Sequence, residues 1–172
     1  MLITPQHSVR RHWNDAMSKK RTKQNKTQLF VCQAYDTFQG HTLTVREHLE
    51  MARNHPRQRE GKNREHGGLP DELTLSVGMN VIITINVQTD LDVANGSWGK
   101  IIAITLQVQD KQAAKNNLVV KLTQVLAYVL VKMERTKVPT LAGLSENVIP
   151  LTAAECTFSL IDRKQKKKIL RK

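Results

Sequence analysis

The sequence predicts an α+β chain, a short α/β piece followed by a mainly antiparallel small β-barrel, closed or half-closed. Three observations carry that reading. Apolar residues recur at helical spacing in two places before residue 55. A stretch rich in Gly, Pro and charge, with no apolar residue to anchor a core, fills 56–68. From Leu69 onward the apolar period drops to two, with polar turns between short runs. The expected organisation is a strand-and-helix piece at 1–55, a linker at 56–68, a barrel at 69–162 and a basic tail at 163–172. With 172 residues, 40% of them apolar, the chain can bury one modest core or a small domain plus an incomplete one.

Residues 1–4 read as a short strand, and Thr4 can cap a helix that has Pro5 at its first position. Val9, Trp13, Ala16 and Met17 would form the apolar face of that helix, with Arg10, Arg11 and Asn14 opposite. Leu29 to Cys32 reads as a strand. Thr44 and Glu47 have the spacing of a capping box, opening a helix from Val45 to about Asn54 whose apolar side is Val45, Leu49 and Ala52. Beyond the linker, strands are expected near 72–77, 80–87, 98–108, 118–122, 126–134 and 155–161, with a short helix around Lys111 to Ala114. Asn95-Gly96 offers two residues able to take positive φ, the mark of a hairpin turn. The stretch 134–150, with two prolines and one glycine, reads as a long connection.

The net charge is +12, and its distribution says more than its sum. Residues 1–70 hold 13 basic and 6 acidic side chains, residues 71–162 hold 7 and 9, and the last ten hold 7 and none. Basic segments thus flank a nearly neutral barrel, which points to a polyanionic partner bound with an affinity that falls as salt rises. Aromatic residues make up only 4% of the chain, so phosphate contact is expected to outweigh base stacking. Trp98, Tyr128 and Phe158 are the stacking candidates, although such residues are more often core. RKQKKK at 163–168 has the composition of a nuclear import patch.

Several chemistries find no support. No run reaches the 18 or more apolar residues of a membrane span, and the start lacks the order of a signal peptide, so the chain is expected to be soluble and intracellular. Cys32 and Cys156 are far apart and complete no zinc motif. His41, His48 and His55 repeat every seven residues, which on a helix separates them by roughly 10 Å, too far for one ion. Asp90 and Asp92 resemble a carboxylate pair, but loop aspartates more often satisfy backbone donors. No G-x-S-x-G or H-E-x-x-H motif occurs, and Gly99-Lys100 fails as a phosphate loop. Five positions before Gly99 stands Ala94, Ile101 takes the place of the required hydroxyl, and a strand-like run follows instead of a helix.

The run LPDELTLSVGMNVIITINVQTDLDVANGSWGKIIAI at 69–104 places Gly78, Val81 to Ile85, Asn86, a loop through Asp90 and Asp92, then Asn95, Gly96 and Gly99 in order. This order resembles the Pif-type and RecD-like ATP-dependent DNA helicases, above all the fungal Pif-type enzymes. The likeness continues in LAYVLVKMERTKVPTLAGLSENVIPL at 126–151. It also reaches back to MLITPQHSVRRHWN, which is similar to the opening of the family's second motor domain except that relatives usually carry arginine where this chain has Gln6.

The resemblance implies a second RecA-like motor domain carrying an inserted barrel of the Src-homology-three type that helps guide single-stranded DNA. It further implies ATP and magnesium bound elsewhere in the motor, and work in the nucleus in DNA repair, recombination and telomere maintenance. The family's phosphate loop, its alanine-tyrosine-alanine strand and its Gln-Gly-Gln helix do not occur in this sequence. The expected function is therefore that of a helicase fragment with no catalytic residue, metal or cofactor of its own, partnered by DNA and by the rest of the motor. The alternatives are an autonomous basic nucleic-acid-binding barrel and a non-functional helicase remnant. Residues expected to touch nucleic acid are Arg10, Asn14, Lys19, Lys20, Asn86, Asn95, Lys100, Arg135, Lys137, Lys166, Lys167 and Lys168.

Overall fold

The computed structural model describes residues 7–53, 69–113, 117–162 and 165–172. The expected strand at 1–4, the cap at Thr4 and the linker at 56–68 lie outside the described residues. Helix α1 (His7–Asn25) leads to the strands β1 (Leu29–Gln33), β2 (Asp36–Phe38) and β3 (His41–Thr42), then to helix α2 (Val45–Arg53). Strands β4 (Glu72–Leu75), β5 (Asn80–Ile82) and β6 (Trp98–Thr105), helix α3 (Val108–Ala113) and strands β7 (Val119–Lys121), β8 (Tyr128–Met133), β9 (Val148–Leu151), β10 (Cys156–Asp162) and β11 (Gln165–Arg171) follow. They form three sheets, ordered β4-β1-β7, β10-β11-β2-β3 and β5-β6-β8-β9, and every pairing is antiparallel except β1 with β7. The chain is α+β, as expected.

Segments on either side of residues 54–68 share two of these sheets. Strand β1 lies between β4 and β7, and its Leu29, Phe30 and Val31 are all buried. A strand buried on both faces reads as a continuous apolar run and not an alternating one, which is how LFV stands in the sequence. Strand β2 pairs with β11, Thr37 opposite Leu170 and Asp36 opposite Arg171.

The basic segment expected to be a tail is instead an inner strand. Alternation explains how: Ile169 and Arg171 turn inward and are buried, Lys167 is mostly covered on the same side, and Lys168 faces solvent. Ile169 joins Leu43 and Met51 in a small core that Phe38 and Phe158 complete. The cations on the inward side are met by carboxylates. Arg171 donates from Nε and Nη2 to the two carboxylate oxygens of Asp36, both at 2.7 Å, and from Nη1 to Asp71 at 2.6 Å and to the Leu69 carbonyl at 3.2 Å. Lys167 donates to Glu47 at 2.9 Å.

Helix α2 begins with the expected capping box, in which the Thr44 amide donates to Glu47 at 2.9 Å and the Glu47 amide to the Thr44 hydroxyl at 3.3 Å. Its inward face differs from expectation. Val45, Leu49 and Ala52 are exposed, while Glu47 and Met51 are buried. Glu47 serves both the cap and Lys167, and the helix packs with that side inward, two positions or roughly 200° around from Val45 and Leu49. Helix α1 also shows its apolar stripe to solvent, with Val9, Trp13 and Met17 exposed and Thr22 buried near the far end. It stops at Lys26, whose φ of 53° and the bond from the Thr27 amide to the Thr22 carbonyl form a Schellman cap.

The largest core lies under the sheet of β5, β6, β8 and β9, built from Leu75, Ile83, Val93, Ile101, Val129, Val131, Met133 and Ile149. The expected strand at 80–87 is shorter, because after Ile83 the chain leaves the sheet for a loop anchored by the buried Val93. Residues Ala94 to Ser97 make the turn, with the Ser97 amide donating to the Ala94 carbonyl at 3.0 Å. Only Gly96 has positive φ, at 95°, so this is a type II turn and not the two-residue primed turn that Asn95-Gly96 suggested. Gly99 answers a different need. A Cβ there would stand 2.5 Å from Val131 Cγ1, so the Val131 side chain occupies the space that a side chain at 99 would need. Strand β9, which begins inside the expected connection at 134–150 and ends at Leu151, escapes sequence reading because Pro150 interrupts it. The proline is tolerated because β9 is an edge strand.

Candidate nucleic-acid interface

Register and burial divide the β5-β6-β8-β9 sheet into an inner and an outer face. Val129, Val131 and Met133 of β8 point into the core, so Tyr128, Leu130 and Lys132 point out. On β6, Ile101 is buried while Trp98 and Lys100 are exposed, and a bulge at Ile102 resets the register before Thr105 meets Tyr128. Lys100 stands opposite Asn80 on one side and Lys132 on the other, and Ile82 stands opposite Trp98. The outer face thus carries two exposed lysines side by side, with Trp98 at one end, 49% exposed, and Tyr128 at the other, 39% exposed. Neither lysine pairs with a carboxylate among the described residues. Phe158, the third stacking candidate, packs in the core beside Ile169.

The loop candidates fall into two groups. Asn86 accepts the Asn95 amide at 3.0 Å, so both asparagines help to fix the turn. Arg135 and Lys137 converge on Asp92, whose Oδ2 lies 3.9 Å from Arg135 Nε and 3.6 Å from Lys137 Nζ and takes no hydrogen bond. Asp92 sits at φ 59° behind the 3-10 turn Thr89–Leu91, where its amide donates to the Thr89 carbonyl. Both cations remain largely exposed while they face it, at 86% and 67%.

On α1, Arg10, Asn14, Lys19 and Lys20 are exposed, together with Arg21 and Lys23, and no acidic residue follows Asp15 on the helix. At the other end of the sequence the candidates split by strand alternation. Lys168 is exposed, Lys167 lies against Glu47 with its ammonium 5.2 Å from the Phe38 ring, and the Lys166 side chain lies outside the described residues. The structure therefore joins Asn86 with Asn95, and Arg135 with Lys137, and leaves the α1 cations as a separate group. Lys132 was missed. The alternation Val129, Val131, Met133 placed it outward, but its neighbour Lys100 is set by register, which no local pattern states.

Gly99-Lys100 does not fit a nucleotide phosphate. Both residues lie within β6, where Gly99 pairs with Val81 and Met133, and no helix N-terminus follows. The buried titratable groups are structural. The Thr44 amide, the Lys167 ammonium and the Thr44 hydroxyl hold Glu47 down at about 2. Burial, helped by the Asp110 charge, pushes the Cys32 thiol up to about 11. Asp110 itself is buried and accepts the Thr123 amide and hydroxyl and the Gln124 amide, tying α3 to the turn after β7. Burial opposes the charge on Arg171, but Asp36 and Asp71 more than offset it and raise its pKa.

No protein-family model matches the chain, and no curated protein matches it. Among solved structures it is similar to the crystal structure of Pif1 helicase from Candida albicans, with 19% identity and a TM-score of 0.42. The match covers 93% of this chain and 31% of that one, so the chain spans about a third of that helicase's length. Among the described residues no helix is long and apolar enough to cross a membrane.

Proposed function

We propose that this chain holds single-stranded DNA as the guiding part of a Pif-type helicase, while ATP and magnesium are bound and used by other parts of the motor. In this reading residues 1–55 belong to the edge of a motor domain, 69–162 to its inserted barrel, and the protein acts in the nucleus. The observation that carries the DNA contact is the concentration of exposed cations on α1. Lys19, Lys20, Arg21 and Lys23 stand within five residues with no carboxylate among them, and each is open to solvent. Such a cluster releases counterions when it meets a phosphate backbone and gives affinity without sequence preference.

Fluorescence anisotropy with a single-stranded oligonucleotide across a salt series tests this. Replacing all four residues by glutamine removes up to four phosphate contacts, so the slope of log affinity against log salt flattens by as much as about 3. An unchanged affinity and slope overturns the reading. The purified chain is expected to hydrolyse no ATP, since Gly99-Lys100 lies within a strand and forms no nucleotide phosphate loop, and a measurable turnover would contradict that assignment.

A further inference from the structure

We propose that the outer face of the β5-β6-β8-β9 sheet is a base-stacking platform, on which Trp98 and Tyr128 each stack a base of a single strand while Lys100 and Lys132 hold the phosphates between them. It rests on the reading above that the partner is single-stranded nucleic acid, and it locates the bases, which the α1 cations do not touch. A ring the size of Trp98 left half open, with Ile82 exposed at 47% beside it, is an apolar surface without a cover. The charge of the face identifies the cover. Within the four strands the outward residues include two lysines and no carboxylate; one step past β8 the exposed Glu134 follows Lys132 on the same side, its amide donating to the Trp98 carbonyl, and the face keeps a net positive charge. An apolar protein surface would leave both ammonium groups without partners, whereas a strand of nucleic acid supplies flat bases and phosphates in alternation.

The spacing agrees. Seven residues of β6 separate Trp98 from Thr105, the register partner of Tyr128, so the rings are roughly 20 Å apart. That length accepts about six stacked nucleotides, or fewer when the strand is extended. The lysines are cross-strand neighbours nearer the Trp98 end, where they would hold adjoining phosphates. Unbroken alternation along β8 keeps Tyr128 on the face of Lys132, and the bulge at Ile102 brings Thr105 of β6 back into step with it.

The test uses the full chain carrying Trp13→Phe, which leaves Trp98 as the sole tryptophan. Titration with an oligothymidylate of about twelve nucleotides should quench Trp98, and an abasic oligonucleotide of the same length should bind through its phosphates without quenching. Trp98→Leu should weaken oligothymidylate binding by roughly 5- to 150-fold and leave abasic binding unchanged, and Trp98→Phe should recover most of the loss. A matching urea midpoint in the three proteins shows that each is folded. Equal affinity for the two oligonucleotides with no quenching, while the α1 substitutions still weaken binding, overturns the platform and spares the DNA reading. Binding of neither oligonucleotide overturns both. Loss of self-association in Trp98→Leu with unaltered DNA affinity assigns the face to protein contact and overturns the platform.

Discussion

Replacing Arg171 by methionine should cost about 3–5 kcal/mol of folding stability. The magnitude follows from what the substitution leaves behind. The side chains of Arg171 and Asp36 are 2% and 7% exposed and joined by two parallel hydrogen bonds, so removing the guanidinium strands a carboxylate without solvent. Asp71, the third member, is 59% exposed, and water can take over its share. Asp71→Asn should therefore cost less than about 1 kcal/mol. Urea denaturation followed by circular dichroism measures both. The double variant Asp36→Asn with Arg171→Met should be more stable than the sum of the single losses predicts, because no buried charge is left alone. If Arg171→Met costs no more than Asp71→Asn, the guanidinium does not hold β11 to β2, and the account of this sheet fails. A practical point follows for binding studies: truncating residues 163–172 removes an inner strand, so the basic character of this segment is better tested by neutralising the exposed Lys168.

Glu47 gives a pH signature. Its carboxyl is lowered from an ordinary 4.5 to about 2, so the stability it contributes is fully present above 4.5 and is lost as pH falls toward 2. At most about 3 kcal/mol is involved, and urea midpoints measured from pH 7 to pH 3 should fall less steeply in Glu47→Gln than in the parent. The glycines of the turn and of β6 should fail for different reasons: Gly96→Val strains positive φ in open space at about 1–2 kcal/mol, and Gly99→Ala drives a Cβ onto Val131 at about 1–3 kcal/mol. Adding Val131→Ala should rescue the second melting temperature and not the first; rescue of both would refute the distinction. With its thiol near 11, Cys32 is thiolate in only about one molecule in a thousand at pH 8. Reaction with a disulfide reagent should wait for unfolding, and rapid modification of native Cys32 would show the site to be open.

What the sequence disclosed and what it hid divide along local and distant interactions. The capping box of Thr44 and Glu47, the run of β1 and the alternation of β8 are written in neighbouring residues, and they were legible. The inward face of α2 was not, because a glutamate answered by a lysine 120 positions away outweighs Val45 and Leu49. Strand β11 was hidden for the same reason. Its lysines and arginine read as solvated until Glu47, Asp36 and Asp71 are seen facing them. Pro150 concealed β9, since only position at a sheet edge excuses it. The candidate interface was half legible. Trp98 and Lys100 stood out in the sequence, but the pairing of Lys100 with Lys132 belongs to register, and the openness of Trp98 belongs to what surrounds it.

The pairing of β2 with β11 also sets an order of events in folding. Arg171 and Asp36 are 135 residues apart in sequence, and closing a loop of that length costs roughly 4 kcal/mol of chain entropy before any contact repays it. The strands β5, β6, β8 and β9 meet over much shorter separations, so their sheet is expected to form first, an order that φ-values measured in the two sheets would check. Relaxation in milliseconds to seconds is the expected pace for such non-local pairing. During that interval the cations of β11 stand in water, and a polyanion nearby competes with Glu47, Asp36 and Asp71 for them. The same charges that stabilise the finished sheet thereby make its assembly sensitive to nucleic acid and to salt.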